Sequence, residues 1–98
     1  MHILQIKAQV NKDKEQEFLQ AIRSVVHHPE IENQKKIVVA KMDNPGLHKV
    51  EFSFHSEAEA ERFKATPDYL QLIGIFEVLS DLYTISAYQP VNLENIKQ

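Results

Sequence analysis

The sequence predicts an α+β domain of the ferredoxin-like type, ordered β-α-β-β-α-β, with a four-stranded antiparallel sheet that carries its helices on one face. Three observations lead there. Residues 1–10 alternate apolar and polar side chains with a period of two, as a half-buried strand does. Two later stretches place apolar residues near a period of 3.6. Between them, a short β-branched run and an alternating run flank Asp43-Asn44-Pro45-Gly46, a strong turn signal, and read as a hairpin. The chain has 98 residues, which fits one domain.

In the opening strand Leu4, Ile6, Ala8 and Val10 alternate with Gln5, Lys7 and Gln9. Residues 11–14 are a polar break with Asn11 or Asp13 as helix N-cap. Phe18, Ala21, Ile22, Val25 and Val26 then fall on one helical stripe, with Glu15 and Glu17 early and His27-His28 late, an order that suits the helix dipole. Pro29 closes this helix, and residues 31–34 form a polar connection. Residues 35–42 hold Ile37-Val38-Val39-Ala40 and read as the second strand. Residues 47–55 are the third, with Val50, Phe52 and Phe54 facing one way.

Ser56-Glu57-Ala58-Glu59 is a capping box that starts a short helix whose main apolar residue is Phe63. Thr66-Pro67 restarts the chain with a cap and a proline at the first helical position. The next helix runs to about Leu79, with Leu70, Ile73 and Phe76 or Glu77 at helical spacing, and Gly74 either weakens it or admits close packing. Residues 82–88 are the last strand. Residues 1–91 thus form the domain and residues 92–98 a tail. The sheet face without helices is expected to carry Ile3, Tyr83 and Ile85 among Gln5 and Lys7. Such a half-apolar face finds a partner, so a homodimer is expected, with Val91, Leu93 and Ile96 of the tail over the partner subunit.

Hydrophobic residues make up 43% and charged residues 26%, a globular balance. Net charge is -3, and the longest basic run is Lys35-Lys36, so no nucleic-acid footprint is present. The absence of cysteine removes disulfides, thiolate catalysis and Cys-based metal sites. No apolar run approaches the roughly 20 residues that span a bilayer. The first residues alternate too regularly for a signal peptide, and a cytoplasmic location is the expectation.

The chain resembles the antibiotic-biosynthesis-monooxygenase-like domains, a family of dimeric α+β barrels. The resemblance runs from Met1 to about Val91. Its carriers are the opening strand, Asn11-Lys12-Asp13-Lys14 before a helix with Phe18, the helix start Phe54-His55-Ser56-Glu57-Ala58-Glu59, and the kink Phe63-Lys64-Ala65-Thr66-Pro67-Asp68-Tyr69. It implies a homodimer formed sheet to sheet, with a pocket between each sheet and its helices. Members include cofactor-independent monooxygenases of phenols or quinols, haem-degrading enzymes and a signal-molecule isomerase. Several members have His where this chain has Phe63, and the family's tryptophan before the helix start is Phe54 here. By alignment the haem-degrading branch places its Asn, Trp and iron-ligating His at Ile6, Phe63 and Ile73, all apolar here, so that scheme is closed. No haem, flavin or metal is expected.

Within this frame the candidate ligand pocket lies between the sheet and the second and third helices. Phe63, Tyr69 and Ile73 are its walls and Ile6 its floor, and His48 or the Tyr69 hydroxyl supplies the polar contact. Other candidates read as structural. Adjacent helical residues such as His27 and His28 point about 100° apart and do not share an ion. His48 and His55 lie on opposite faces of one strand. Capping and solvation account for Glu57, Glu59 and Glu61, and Asp68 sits in a first helical turn. No phosphate loop, nucleophile elbow or metal-ligand spacing occurs, so catalytic residues stay unassigned. The implied function is a cofactor-independent monooxygenase or oxidoreductase acting on a small aromatic or quinol-like compound. The alternative is a non-catalytic small-ligand-binding or scaffold dimer of the same fold.

Overall fold

The computed structural model describes residues 1–27 and 36–91. Its strands are β1 (His2–Gln9), β2 (Lys36–Lys41), β3 (Leu47–Phe54) and β4 (Leu82–Tyr88), and its helices are α1 (Glu15–Val26), α2 (Glu57–Lys64) and α3 (Pro67–Leu79). All strand pairs are antiparallel, and the order across the sheet is β2-β3-β1-β4. This is the expected ferredoxin-like α+β arrangement, with the second helical region broken in two. Pro29, His28, residues 31–34 and the tail with Leu93 and Ile96 lie outside the described residues.

Local chemistry explains the boundaries. Asn11 Oδ1 accepts the Asp13 N–H at 2.9 Å and caps a short 3-10 turn (Lys12–Lys14), so the expected cap serves this turn, and α1 starts behind it without a side-chain cap. Ser56 Oγ accepts the Glu59 N–H at 3.2 Å, and Glu59 Oε2 accepts the His55 N–H at 2.8 Å, a box closed one residue early. Thr66 caps α3 by accepting the Tyr69 N–H at 3.2 Å, while its hydroxyl donates to the Phe63 carbonyl at 2.6 Å and ties the two helices together. At the β2–β3 turn, Gly46 takes φ +80°, which only glycine adopts without strain. Its carbonyl accepts from Val10 N at 2.8 Å and joins the turn to β1.

Side-chain alternation builds the core. His2, Leu4, Ile6 and Ala8 of β1 and His48, Val50, Phe52 and Phe54 of β3 are buried beneath the helices. Phe18, Ile22, Val25 and Val26 of α1, Ala60 and Phe63 of α2, and Leu72 and Phe76 of α3 close over them. Each such large side chain contributes on the order of 1.5–3 kcal/mol by leaving water. The α3 stripe differs from the expectation. Leu72 and Phe76 are its buried residues, and Leu70 is 67% exposed, because Tyr69, Leu72, Ile73 and Phe76 complete the 3.6-residue period. No neighbour lies within 4 Å of a side chain built at Gly74, so it does not serve close packing.

The register corrects the expected open face. Tyr83 pairs with Ala8, and Ile85 with Ile6, so both share the helix-covered face; Ile3, by contrast, lies on the open face and pairs with Tyr88. Among the described residues no helix is long and apolar enough to cross a membrane.

Candidate functional site

Two aromatic groups lie beneath the helices. In the first, the Phe63 ring from α2 is 4.9 Å from Phe52, 5.6 Å from Phe54 and 5.5 Å from Tyr69. In the second, Phe18 from α1 stands edge-on to His48 at 5.5 Å and to Phe76 at 5.4 Å, and Phe76 leans on Tyr83 at 5.8 Å. The helix break at Thr66 sets Tyr69 against Phe63, and Ile73 follows one turn later on α3, half-buried against the core. Ile6 is fully buried in β1 between Val50 and Ile85. Phe63 and Tyr69 thus meet directly, while Ile73 and Ile6 pack in the same core on the helix-covered side of the sheet.

His48 lies in the second aromatic group, in the sheet row of Ala8 and Tyr83. Its ring donates from Nδ1 to the Gly46 carbonyl at 3.0 Å and is fully buried against Phe18. Phe52, the strand residue beneath Phe63, is two pleat repeats further along β3, roughly 13 Å away. The bond at Nδ1 leaves Nε2 as an acceptor, and it has no hydrogen-bond partner. His48 therefore locks the hairpin turn to the core.

The polar group missed by sequence reasoning is Tyr83. It is half-buried, and its hydroxyl donates to Glu77 Oε1 of α3 at 3.2 Å. Burial pushes its pKa up, Glu77 adds to this, and the Tyr69 hydroxyl adds a smaller push, which puts the two phenols within electrostatic reach. Tyr69 is likewise raised, first by burial and then by Glu61. Both phenols are therefore neutral donors at ordinary pH. Beyond Tyr83 the helix layer stops short of β4: Ile85 is 42% exposed although it points to the helix side, and Ala87 is exposed as well. A signal for this was present in the chain. Thr84 and Ser86 are the polar parity of β4, which leaves Tyr83, Ile85 and Ala87 as its apolar face.

A cleft of about 710 Å³ opens at the far end of the sheet, where Asn11, Lys12, Glu15, Lys41, Asp43 and Asp81 contribute to its lining. It has no aromatic wall, and Lys41 Nζ already pairs with Glu15 Oε1 at 3.1 Å. That composition does not suit a flat apolar ligand. Among the described residues no group of three His, Asp or Glu side chains could hold a metal ion.

No family model and no curated protein matches the chain in sequence. Solved structures do match it. A crystal structure of an antibiotic biosynthesis monooxygenase superposes with a TM-score of 0.77 at 14% identity, covering 94% of this chain and 100% of that one. A candidate antibiotic biosynthesis monooxygenase of Deinococcus radiodurans reaches 0.79 at 17% identity over 100% of both chains. The fold is that of the antibiotic biosynthesis monooxygenase-like proteins. A Bacteroides thetaiotaomicron protein of unknown function, described as a possible oxidoreductase, shares this monooxygenase-like fold with a TM-score of 0.75 at 11% identity, over 89% of this chain and 94% of that one. Identities this low carry the architecture and leave the chemistry to the side chains.

Proposed function

We propose that this protein is a homodimer that binds a small aromatic or quinol-like compound on the helix side of each sheet and oxidises it with molecular oxygen, without a cofactor. The observation that carries the reading is that two half-buried phenols, Tyr69 against Phe63 and Tyr83 against Phe76, stand on the helix side of the sheet, where Ile85 is left uncovered. Ile85 and Ile73 offer the ligand apolar surface, with Ile6 and Phe63 packed behind them. An apolar site with a few convergent donors is what a flat, weakly polar ligand requires. A bound phenol that loses its proton places an oxyanion before the Tyr69 hydroxyl, and a fixed donor stabilises that anion, while the Tyr83 hydroxyl stays on Glu77. The anion of a quinol or of an extended polycyclic phenol is electron-rich enough to reduce oxygen directly. A phenol with a free para position takes up one oxygen atom and becomes a quinone, and the other atom leaves as water, so the substrate supplies every electron. Names borne by proteins of the same fold point to the same class of reaction.

The non-catalytic alternative, a ligand-binding or scaffold dimer, has its own support. Glu77 is hydrogen-bonded to the Tyr83 phenol, which engages the carboxylate nearest to hand as a base. Oxygen uptake with a panel of phenols and quinols, measured beside their binding by thermal shift, separates the two. Uptake that falls at least tenfold in Tyr69→Phe supports the enzyme. Binding without uptake supports the binder, and neither result with any compound removes the site.

A further inference from the structure

The open face of the sheet carries its charges in two adjacent rows. Gln5, Glu51 and Ser86 lie side by side in one row, and Lys7, Lys49 and Thr84 in the next. The rows are two residues apart along each strand, about 7 Å. Glu51 Oε2 accepts from Gln5 Nε2 at 2.7 Å and from the Tyr88 hydroxyl at 2.7 Å, and Lys49 Nζ lies 3.5 Å from Oε1. Tyr88 chiefly, then Gln5 and Lys49, hold the Glu51 pKa below its ordinary value against the opposing effect of burial. This carboxylate is thus fixed in place and ionised.

The second row is unbalanced. Lys7 stands directly opposite Lys49 on the neighbouring strand, and like charges so placed destabilise a sheet. Lys49 leans towards Glu51, whereas among the described residues no acidic side chain pairs with Lys7, although Lys7 is half-buried. Apolar side chains flank both rows. Ile3 is half-buried, while Val38, Leu82 and Tyr88 are 39%, 68% and 41% exposed. Lys36, the remaining lysine of this face, is exposed near the strand end, outside the two rows.

We propose that a second copy of this chain docks on this face with a two-fold axis passing between the two rows, so that Glu51 of each copy meets Lys7 of the other. The inference rests on the homodimer reading above and specifies its register. A two-fold axis lying between stacked sheets exchanges positions on either side of itself, so an acidic row beside a basic row is self-complementary under that operation. The line from Glu51 to Lys7 runs diagonally across one strand spacing and two residues. An axis perpendicular to that line crosses the two sets of strands at roughly 70°, nearer the orthogonal than the aligned class of sheet packing. Each Lys7 gains a carboxylate, which none of the described residues gives it, and the apolar flanks of both copies are covered together.

Charge reversal tests the register. Lys7→Glu sets two carboxylates against each other at two equivalent contacts, and Glu51→Lys sets two lysines. Each reversal alone is expected to weaken dimerisation about a hundredfold, roughly tenfold per contact. Mixed together, the two variants present opposite charges at both contacts and should form a one-to-one heterodimer by native mass spectrometry. Lys7→Gln, which removes the charge without repulsion, should weaken the dimer less than Lys7→Glu, and it keeps the test readable if Glu51→Lys does not fold. A monomeric wild-type chain at micromolar concentration overturns the homodimer reading and the register with it. A dimeric wild type whose Lys7→Glu variant dimerises unchanged, or two folded variants that do not combine, overturns the register alone.

Discussion

Replacing Phe63 with alanine tests whether the helix break is packed or hollow. The ring is 5% exposed and touches three other rings, those of Phe52, Phe54 and Tyr69. Truncation of a buried phenylalanine costs about 3–5 kcal/mol, from lost transfer energy and the cavity left behind. The three aromatic contacts push the cost up. Proximity to the uncovered edge at Ile85 pulls it down, because Tyr69 has room to relax into the space. We expect about 3–4 kcal/mol, a large part of the 5–15 kcal/mol that holds a domain of this size folded. At about 4–8 °C per kcal/mol, the melting temperature falls by roughly 12–30 °C. Urea unfolding followed by circular dichroism gives the number directly, provided that the slope with denaturant is unchanged. Phe63→Leu should recover most of the loss. A cost under about 1.5 kcal/mol for the alanine variant, with unchanged slope, would refute the packing argument and make Phe63 a wall of empty space.

The two glycines should respond oppositely. Gly46→Ala puts a side chain at φ +80° and within 2.8 Å of the Val10 carbonyl oxygen, so a loss of about 2 kcal/mol or more is expected in the same unfolding assay. Gly74→Ala meets no neighbour within 4 Å on α3 and should stabilise by about 0.5–1 kcal/mol. Acid should weaken the fold through Glu51, whose pKa is lowered chiefly by the Tyr88 hydroxyl. Because the folded state lowers it, that contribution is complete above the ordinary value of 4.5 and is lost as pH falls through the lower folded value. Melting temperatures measured from pH 6 down to about pH 3 should fall less steeply in Glu51→Gln than in wild type.

Much of the architecture is legible along the chain because it rests on local physics. Ser56, Thr66 and Pro67 place helix starts through hydrogen bonds that span only three residues. Asp43-Asn44-Pro45-Gly46 makes the hairpin because Gly46 alone tolerates the turn's positive φ. Alternation in β1 identifies its buried face from Leu4 to Ala8 without reference to any other strand. The α3 stripe was less legible: a helix with apolar residues on most sides has a weak period, and only packing against α1 selects Leu72 and Phe76 over Leu70.

The site divides in the same way. Phe63 and Tyr69 were legible as neighbours because a single helix break brings them together. His48 was read towards the same pocket from parity alone, and parity says which face a residue occupies but not how far along the strand its partners lie. Tyr83 required the register, since one residue of slip in β4 would move it to the open face. The sequence by itself determined the elements, their order and the chemistry available: neutral phenols, buried aromatics and no thiol. The tertiary structure alone decided which of those groups meet. The pairing of β4 with β1 carries Tyr83 under α3 and sets Glu51 between Gln5 and Tyr88, contacts between residues too far apart in the chain for any local pattern to encode.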